Sequence, residues 1–123
     1  MKKIVLLLSL SVILLSNSDC KKNEGTTRYK GKLEIAGMCM NYTIRLIEGR
    51  VDTSLISADW VDETTNKTYT NVFRLGNPCD FPASIKQGDE FYFTLFTGKG
   101  KECAVCMAYY PTPPKAVSIK IEN

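Results

Sequence analysis

Five cysteines have the widest range of possible chemistry in this sequence: Cys20, Cys39, Cys79, Cys103 and Cys106. The chain has 123 residues and contains no histidine. Cysteine thiols can form disulfides, bind a metal ion as thiolates, or act as a redox pair. The absence of histidine removes the usual general base, the Ser-His and Cys-His nucleophile systems, and the commonest transition-metal ligand. We therefore predict no catalytic residue, no cofactor and no enzymatic activity.

The four cysteines after Cys20 are best explained as two disulfides, since small exported domains commonly need such cross-links. Cys39 and Cys106 each begin a Cys-Met-x-Tyr string, CMNY and CMAY. If these strings lie in neighbouring strands, Cys39–Cys106 is a natural bridge and Cys79–Cys103 remains as the second. The alternative pairing, Cys103–Cys106 with Cys39–Cys79, stays open.

Two other uses of the cysteines are weaker alternatives. The CxxC spacing of residues 103–106 occurs in zinc sites, but such sites normally have a second close pair, which this chain lacks. A copper or zinc site could also use the thioethers of Met38, Met40 and Met107. However, strand alternation would turn Met40 and Met107 away from the adjacent cysteines, and the ordinary role of such methionines is core filling. A thiol-disulfide oxidoreductase needs its CxxC at a helix N-terminus in a βαβ setting, which the pattern does not indicate.

The first 19 residues are typical of an export signal. Two lysines precede Ile4–Leu15, an apolar run of twelve residues interrupted only by serine. As a helix this run rises about 18 Å, whereas the hydrocarbon core of a bilayer is ~30 Å thick. The segment therefore directs secretion and is removed, and the protein is exported.

Cys20 is the predicted site of lipid attachment. Five cysteines in an exported protein leave one unpaired, and a lipid on Cys20 would leave an even four. The first thirty residues also resemble a bacterial lipoprotein signal, with two lysines, an apolar core, a cysteine and a polar stretch. This resemblance implies an envelope lipoprotein with a tether over residues 20–29. The alternative is a soluble periplasmic or secreted form that begins at Asp19.

Residues 30–123 are predicted to form one all-β domain, because apolar and polar residues alternate with period two. We expect five strands, at residues 32–47, 55–61, 68–75, 89–96 and 116–122. The first strand is long and has a bulge at Gly37, and a short helical turn capped by Asp80 lies between the third and fourth strands. This order resembles a small antiparallel barrel of the OB type, and a β-sandwich is the alternative.

Three segments carry a further resemblance: GMCMNY (37–42), GNPCDFP (76–82) and CAVCMAYYPTP (103–113). Together they are similar to those of small bacterial envelope proteins. The resemblance implies a place in the cell envelope and no particular activity.

The predicted function is a non-enzymatic binding or structural module, stapled by disulfides, with a protein or glycan partner at the envelope. Near balance of 16 basic and 13 acidic residues argues against nucleic acid as a partner. The candidate contact residues are Trp60, Tyr109 and Tyr110, the last two preceding a proline-rich stretch that favours an extended, stiff chain. The favoured interpretation of that stretch by itself is a rigid loop that covers the end of the barrel. Inhibition of a hydrolase is one concrete version of such a module.

Overall fold

A computed structural model describes residues 27–122 of the chain. The predicted signal segment, Cys20 and most of the predicted tether lie outside these residues. Tyr29, the last residue assigned to the tether, opens the first strand and is buried. The folded domain therefore begins one residue before the predicted boundary.

The described residues form seven strands and no α-helix, so the all-β prediction is confirmed. The strands are β1 (Tyr29–Ala36), β2 (Tyr42–Glu48), β3 (Ser57–Asp62), β4 (Lys67–Leu75), β5 (Glu90–Leu95), β6 (Ala116–Val117) and β7 (Ile119–Glu122). Two 3-10 turns, Met38–Met40 and Pro78–Asp80, lie between strands.

The strands form one sheet that closes on itself. Its order is β3-β4-β2-β1-β5-β7, and β6 also pairs with β4. Because only Ser118 separates β6 from β7, the last strand segment bridges from β5 back to β4 and completes a small barrel. The β4–β6 pair is parallel and the other pairs are antiparallel. Closure satisfies strand edges that an open sheet would leave unpaired.

The strand count differs from the predicted five because two predicted strands are divided. The first becomes the β1–β2 hairpin, since Cys39 and Met40 adopt left-handed φ angles of 57° and 58° that reverse the chain. Gly37, predicted as a bulge, instead opens this reversal, and its N–H donates to the Asn41 carbonyl at 3.2 Å. The last predicted strand is interrupted at Ser118, where the chain leaves β4 and joins β5.

The predicted helical turn is displaced toward the N-terminus. The turn spans Pro78–Asp80, so Asp80 ends it and does not cap it. The Asp80 carboxylate instead accepts the backbone N–H of Lys101 at 3.2 Å. Asp80 thus connects this turn to the later loop that contains two of the cysteines.

The core is built from apolar side chains that alternate along the strands toward the barrel interior. Phe93 is fully buried at its centre, with ring centroids of Tyr29, Phe73 and Phe91 at 5.5, 6.0 and 6.0 Å. Gly31 lies against this cluster, and a Cβ there would stand 2.9 Å from the Phe93 ring. Burial of each such ring stabilises the fold by about 2 to 3 kcal/mol.

Candidate functional site

The four cysteines of the domain form two disulfides. Cys39 is bonded to Cys106 and Cys79 to Cys103, with Cα–Cα distances of 5.0 and 5.7 Å. This is the pairing that the sequence favours. Because Cys103 and Cys106 have different partners, the CxxC segment is not a dithiol pair, and none of these four sulfurs remains as a thiolate to ligate a metal or attack a disulfide.

The physical reason for that pairing differs from the predicted one. Cys39 lies in the 3-10 turn after β1, and Cys106 lies in a stretch without regular structure, so the two do not cross-link neighbouring strands. The chain reversal at residues 38–40 presents Cys39 to an outer loop. Within residues 27–122, no cluster of three or more Cys, Asp or Glu side chains is placed to hold a metal ion.

Residues 101–110, which we name the tethered segment, form the most exposed part of the described chain. Nine of these ten residues are exposed, and only Tyr110 is half-buried. None belongs to a strand or helix and none has a positive φ, so the backbone is irregular but free of left-handed conformations. The two disulfides nevertheless join it to the domain at Cys103 and Cys106.

Hydrogen bonds continue this attachment beyond the disulfides. The Asn41 side-chain amide donates to the Met38 carbonyl at 2.9 Å and to the Ala108 carbonyl at 3.2 Å, which connects the β1–β2 reversal to the tethered segment. The Tyr109 hydroxyl donates to Oε1 of Glu63 at 2.7 Å. Glu63 lies in the β3–β4 turn, so two different hairpins hold the segment.

The methionines near these cysteines are exposed, contrary to the core-filling role predicted for them. The exposed fractions are 98% for Met107, 58% for Met38 and 39% for Met40. Each is adjacent in sequence to a cysteine of the Cys39–Cys106 bridge, which places all three around one exposed disulfide. The prediction was wrong because it assumed strands there, whereas both cysteines lie in loops outside the barrel.

Tyr109 is 78% exposed, yet its hydroxyl has a specific partner. The hydrogen bond to the Glu63 carboxylate, together with the nearby negative charge, raises the pKa of Tyr109 above its ordinary value of 10.0. The phenol is therefore protonated and a donor at neutral pH. The hydrogen bond thus gives an otherwise exposed side chain a defined position.

Tyr110 turns inward where Tyr109 turns outward. Its ring passes so close to Gly37 that a Cβ there would stand 2.5 Å from Tyr110 Cδ1, so glycine is required at this contact. Beyond it, Pro111 and Pro113 are buried, and the Lys115 carbonyl accepts the Arg74 N–H at 2.8 Å. Most of the proline-rich stretch is thus packed against the domain, and the continuous exposed run of the tethered segment ends at Tyr109.

Trp60 lies apart from the tethered segment, on β3. It is half-buried and packs on Tyr69 of β4 with ring centroids 5.7 Å apart. The Lys67 ammonium lies 5.0 Å from the Tyr69 ring centroid and covers part of it. Within residues 27–122, the Trp60 ring therefore packs on Tyr69 and on neither of the two predicted contact tyrosines.

A cleft of about 360 Å³ separates Tyr69 from Tyr110. Its walls also include charged and polar side chains from β1 and the β3–β4 hairpin: Lys32, Glu34, Asp62 and Lys67. Glu34 is held at the cleft by ion pairs to Arg45 Nε at 3.4 Å and Lys32 Nζ at 3.9 Å. Burial of the Tyr69 ring, reinforced by Asp62 and Glu34, raises the pKa of its hydroxyl.

Comparison with known proteins places the chain in no group. No family model matches the sequence, and neither a curated protein nor a solved structure is significantly similar to it. Residues 27–122 include no helix whose length and hydropathy suit a membrane crossing.

Sequence reasoning missed two residues of this surface, Asn41 and Glu63, and assigned a third, Met107, to the core. No spacing rule connects Asn41 or Glu63 to residues 46 to 67 positions later, so only the fold reveals their contacts. For Met107 a signal existed, since it directly follows a cysteine, and exposed loops in small exported domains are commonly held by disulfides.

Proposed function

We propose that this protein is a non-enzymatic binding module of the cell exterior that recognises a protein partner through the tethered segment. The observation that carries the proposal is the combination of exposure and attachment in residues 101–109. Exposed apolar side chains that lie together are typical of an interaction surface, and this segment has three of them beside two disulfide anchors.

Preorganisation is the physical advantage of such a surface. A flexible loop loses roughly 1 to 2 kcal/mol of backbone entropy per residue when a partner orders it. The two disulfides and the bonds from Asn41 and Glu63 impose that order before binding. More of the contact energy is then left for affinity.

The exposed side chains suit a protein partner. Methionine and tyrosine supply apolar area that adapts to a facing surface, and both types are enriched at interfaces. Val105, Met107 and Tyr109 provide this area on the segment.

Two disulfides are typical of an oxidising compartment outside the cytosol. Within that setting we propose attachment to the bacterial envelope by a lipid on Cys20, with residues 21–28 as the spacer. This arrangement is supported by the lipoprotein-like first thirty residues and by the pairing of the four other cysteines, which leaves Cys20 as the odd one.

The cleft supports a second candidate function, the binding of a small polar ligand such as a glycan. Tyr69 and Tyr110 offer aromatic faces, while Lys32 and Glu34 offer hydrogen-bonding groups between them. Sugars are recognised by this combination of aromatic stacking and charged or amide groups.

The test compares the wild-type protein with a variant in which Val105, Met107 and Tyr109 are serine. Both are immobilised with disulfides intact and exposed to envelope and secreted proteins and to envelope glycans. We expect the wild type to retain a protein that the triple variant releases. The control is Tyr92→Ser, which removes a similarly apolar exposed side chain on β5 and should keep the partner.

Retention of the same protein by the triple variant would exclude the segment as the contact surface. Retention of a glycan in place of a protein would favour the cleft. If the wild type retains neither, the binding function is wrong.

A further inference from the structure

We infer that the tethered segment is a substrate-like inhibitory loop that inserts Met107 into the apolar primary pocket of a serine endopeptidase. The inference rests on the proposed binding function and names the class of partner. Such enzymes bind an extended segment of the substrate chain and select the residue before the cleaved bond by a deep specificity pocket.

Met107 has the position that a pocket-filling residue needs. Its side chain is 98% exposed, the highest value among the exposed apolar residues of the described chain. Methionine is unbranched and apolar, so it suits an apolar slot. Its neighbours, Cys106 and Ala108, have small side chains that leave the approach of an enzyme open.

The main chain around Met107 is available for pairing with another chain. Residues 101–110 take no part in the sheet, and their φ angles stay out of the left-handed region. Endopeptidases align a substrate by main-chain hydrogen bonds of the kind that join strands. The Ala108 carbonyl already accepts a hydrogen bond from the Asn41 side chain, and this bond holds the segment against the domain.

Rigid attachment on both sides of Met107 distinguishes this loop from an ordinary substrate. On one side, Cys106 is bonded to Cys39. On the other side, Asn41 holds Ala108, Glu63 holds Tyr109, and the Tyr110 ring packs on Gly37. The positions before and after Met107 are therefore fixed, while the Met107 side chain itself contacts solvent.

This attachment also determines the outcome if the enzyme cuts the Met107–Ala108 peptide bond. Hydrolysis consumes one water and leaves a carboxylate on Met107 and an amine on Ala108. The disulfide retains the first end, and Asn41, Glu63 and Gly37 retain the second. The new ends stay adjacent, so the bond re-forms with loss of the same water and the enzyme remains occupied.

The experiment changes the pocket-filling residue and monitors the change in enzyme preference. The disulfide-bonded protein is titrated into chymotrypsin, whose primary pocket is apolar, and into trypsin, whose pocket carries an aspartate. We expect the wild type to inhibit chymotrypsin and not trypsin. Met107→Lys should weaken chymotrypsin inhibition by about thirtyfold or more, a loss typical of a hot-spot residue, and should create inhibition of trypsin.

Met38→Lys is the matched control, because Met38 is an exposed methionine across the same disulfide. It should keep the wild-type preference. Since Met107 lies almost wholly in solvent, its substitution leaves folding intact. Residues 108–123 contain no cysteine, so native mass spectrometry of the complex shows whether they stay bound after the Met107–Ala108 bond is cut.

The inference is overturned if the wild type does not inhibit chymotrypsin, or if Met107→Lys inhibits chymotrypsin as strongly as the wild type does. It is also overturned if Met38→Lys shifts the preference as strongly as Met107→Lys, or if the segment is digested and released as a substrate. A captured partner that is not a peptidase, lost in the triple serine variant, would leave the binding function standing and remove this inference alone.

Discussion

The hydrogen bond from Tyr109 to Glu63 shows how single residues order an exposed loop. The phenol must keep its proton to donate, and the carboxylate beside it raises the pKa of Tyr109 above 10.0. Because the pKa in the folded state is raised, the bond contributes at neutral pH and is lost as the pH rises through that raised value.

At this scale we predict that Glu63→Ala lowers the pKa of Tyr109 toward 10.0, because the acceptor and its charge are both removed. The measurement is an NMR titration of the Tyr109 ring carbons against pH. Asp59→Ala, which removes an exposed carboxylate on β3, is the control and should leave the titration unchanged. Identical curves for wild type and Glu63→Ala would contradict the assigned bond.

At the scale of elements, Asn77 completes the barrel where β4 ends. Its side-chain amide accepts the Ile119 N–H at 2.9 Å and donates to the Ile119 carbonyl at 2.8 Å, as a paired strand would. Next to it, the Gly76 N–H donates to the Val117 carbonyl at 2.8 Å. A side chain therefore replaces a backbone partner where β6 gives way to β7.

We predict that Asn77→Ala lowers the free energy of unfolding by about 2 to 3 kcal/mol, because it leaves the buried N–H and carbonyl of Ile119 without partners. The measurement is the urea midpoint at unchanged slope. Gln87→Ala removes a single exposed hydrogen bond to the Ala36 N–H and should cost less than about 1 kcal/mol. Equal losses in the two variants would mean that Asn77 does not close the barrel.

The element scale also shows why the strands were predicted better than their connections. The aromatic and β-branched residues of 68–75 and 89–96 located β4 and β5 to within a residue at each end, because such side chains pack well on a pleated sheet. The reversal at Cys39 was missed because left-handed φ angles at a cysteine and a methionine have no compositional signal.

For the whole molecule, the disulfides are nested and serve different purposes. Cys79–Cys103 lies within the loop closed by Cys39–Cys106, with sequence separations of 24 and 67. Both join irregular stretches outside the sheet, so neither one is needed to align strands. They restrict the unfolded chain and hold the tethered segment on the barrel.

We predict that the double variant Cys39→Ser with Cys106→Ser lowers the free energy of unfolding by about 4 kcal/mol and keeps the all-β fold. Its tethered segment should exchange amide protons faster than β1 and β5 do, because the covalent restraint before Met107 is gone. Urea unfolding and hydrogen exchange measure the two effects. The matched variant without Cys79 and Cys103 should retain slower exchange near Met107, and equal exchange in both variants would contradict the role assigned to Cys39–Cys106.

By itself, the sequence determined the all-β class, the residues of the main strands and the favoured cysteine pairs. These properties depend on local alternation and the small number of possible pairings. Only the tertiary structure decided that the sheet closes through residues 116–122, that Gly37 opens a hairpin, and that Met107 stands in solvent. Each of these depends on contacts between residues far apart in the chain, and local sequence patterns do not specify which distant residues come into contact.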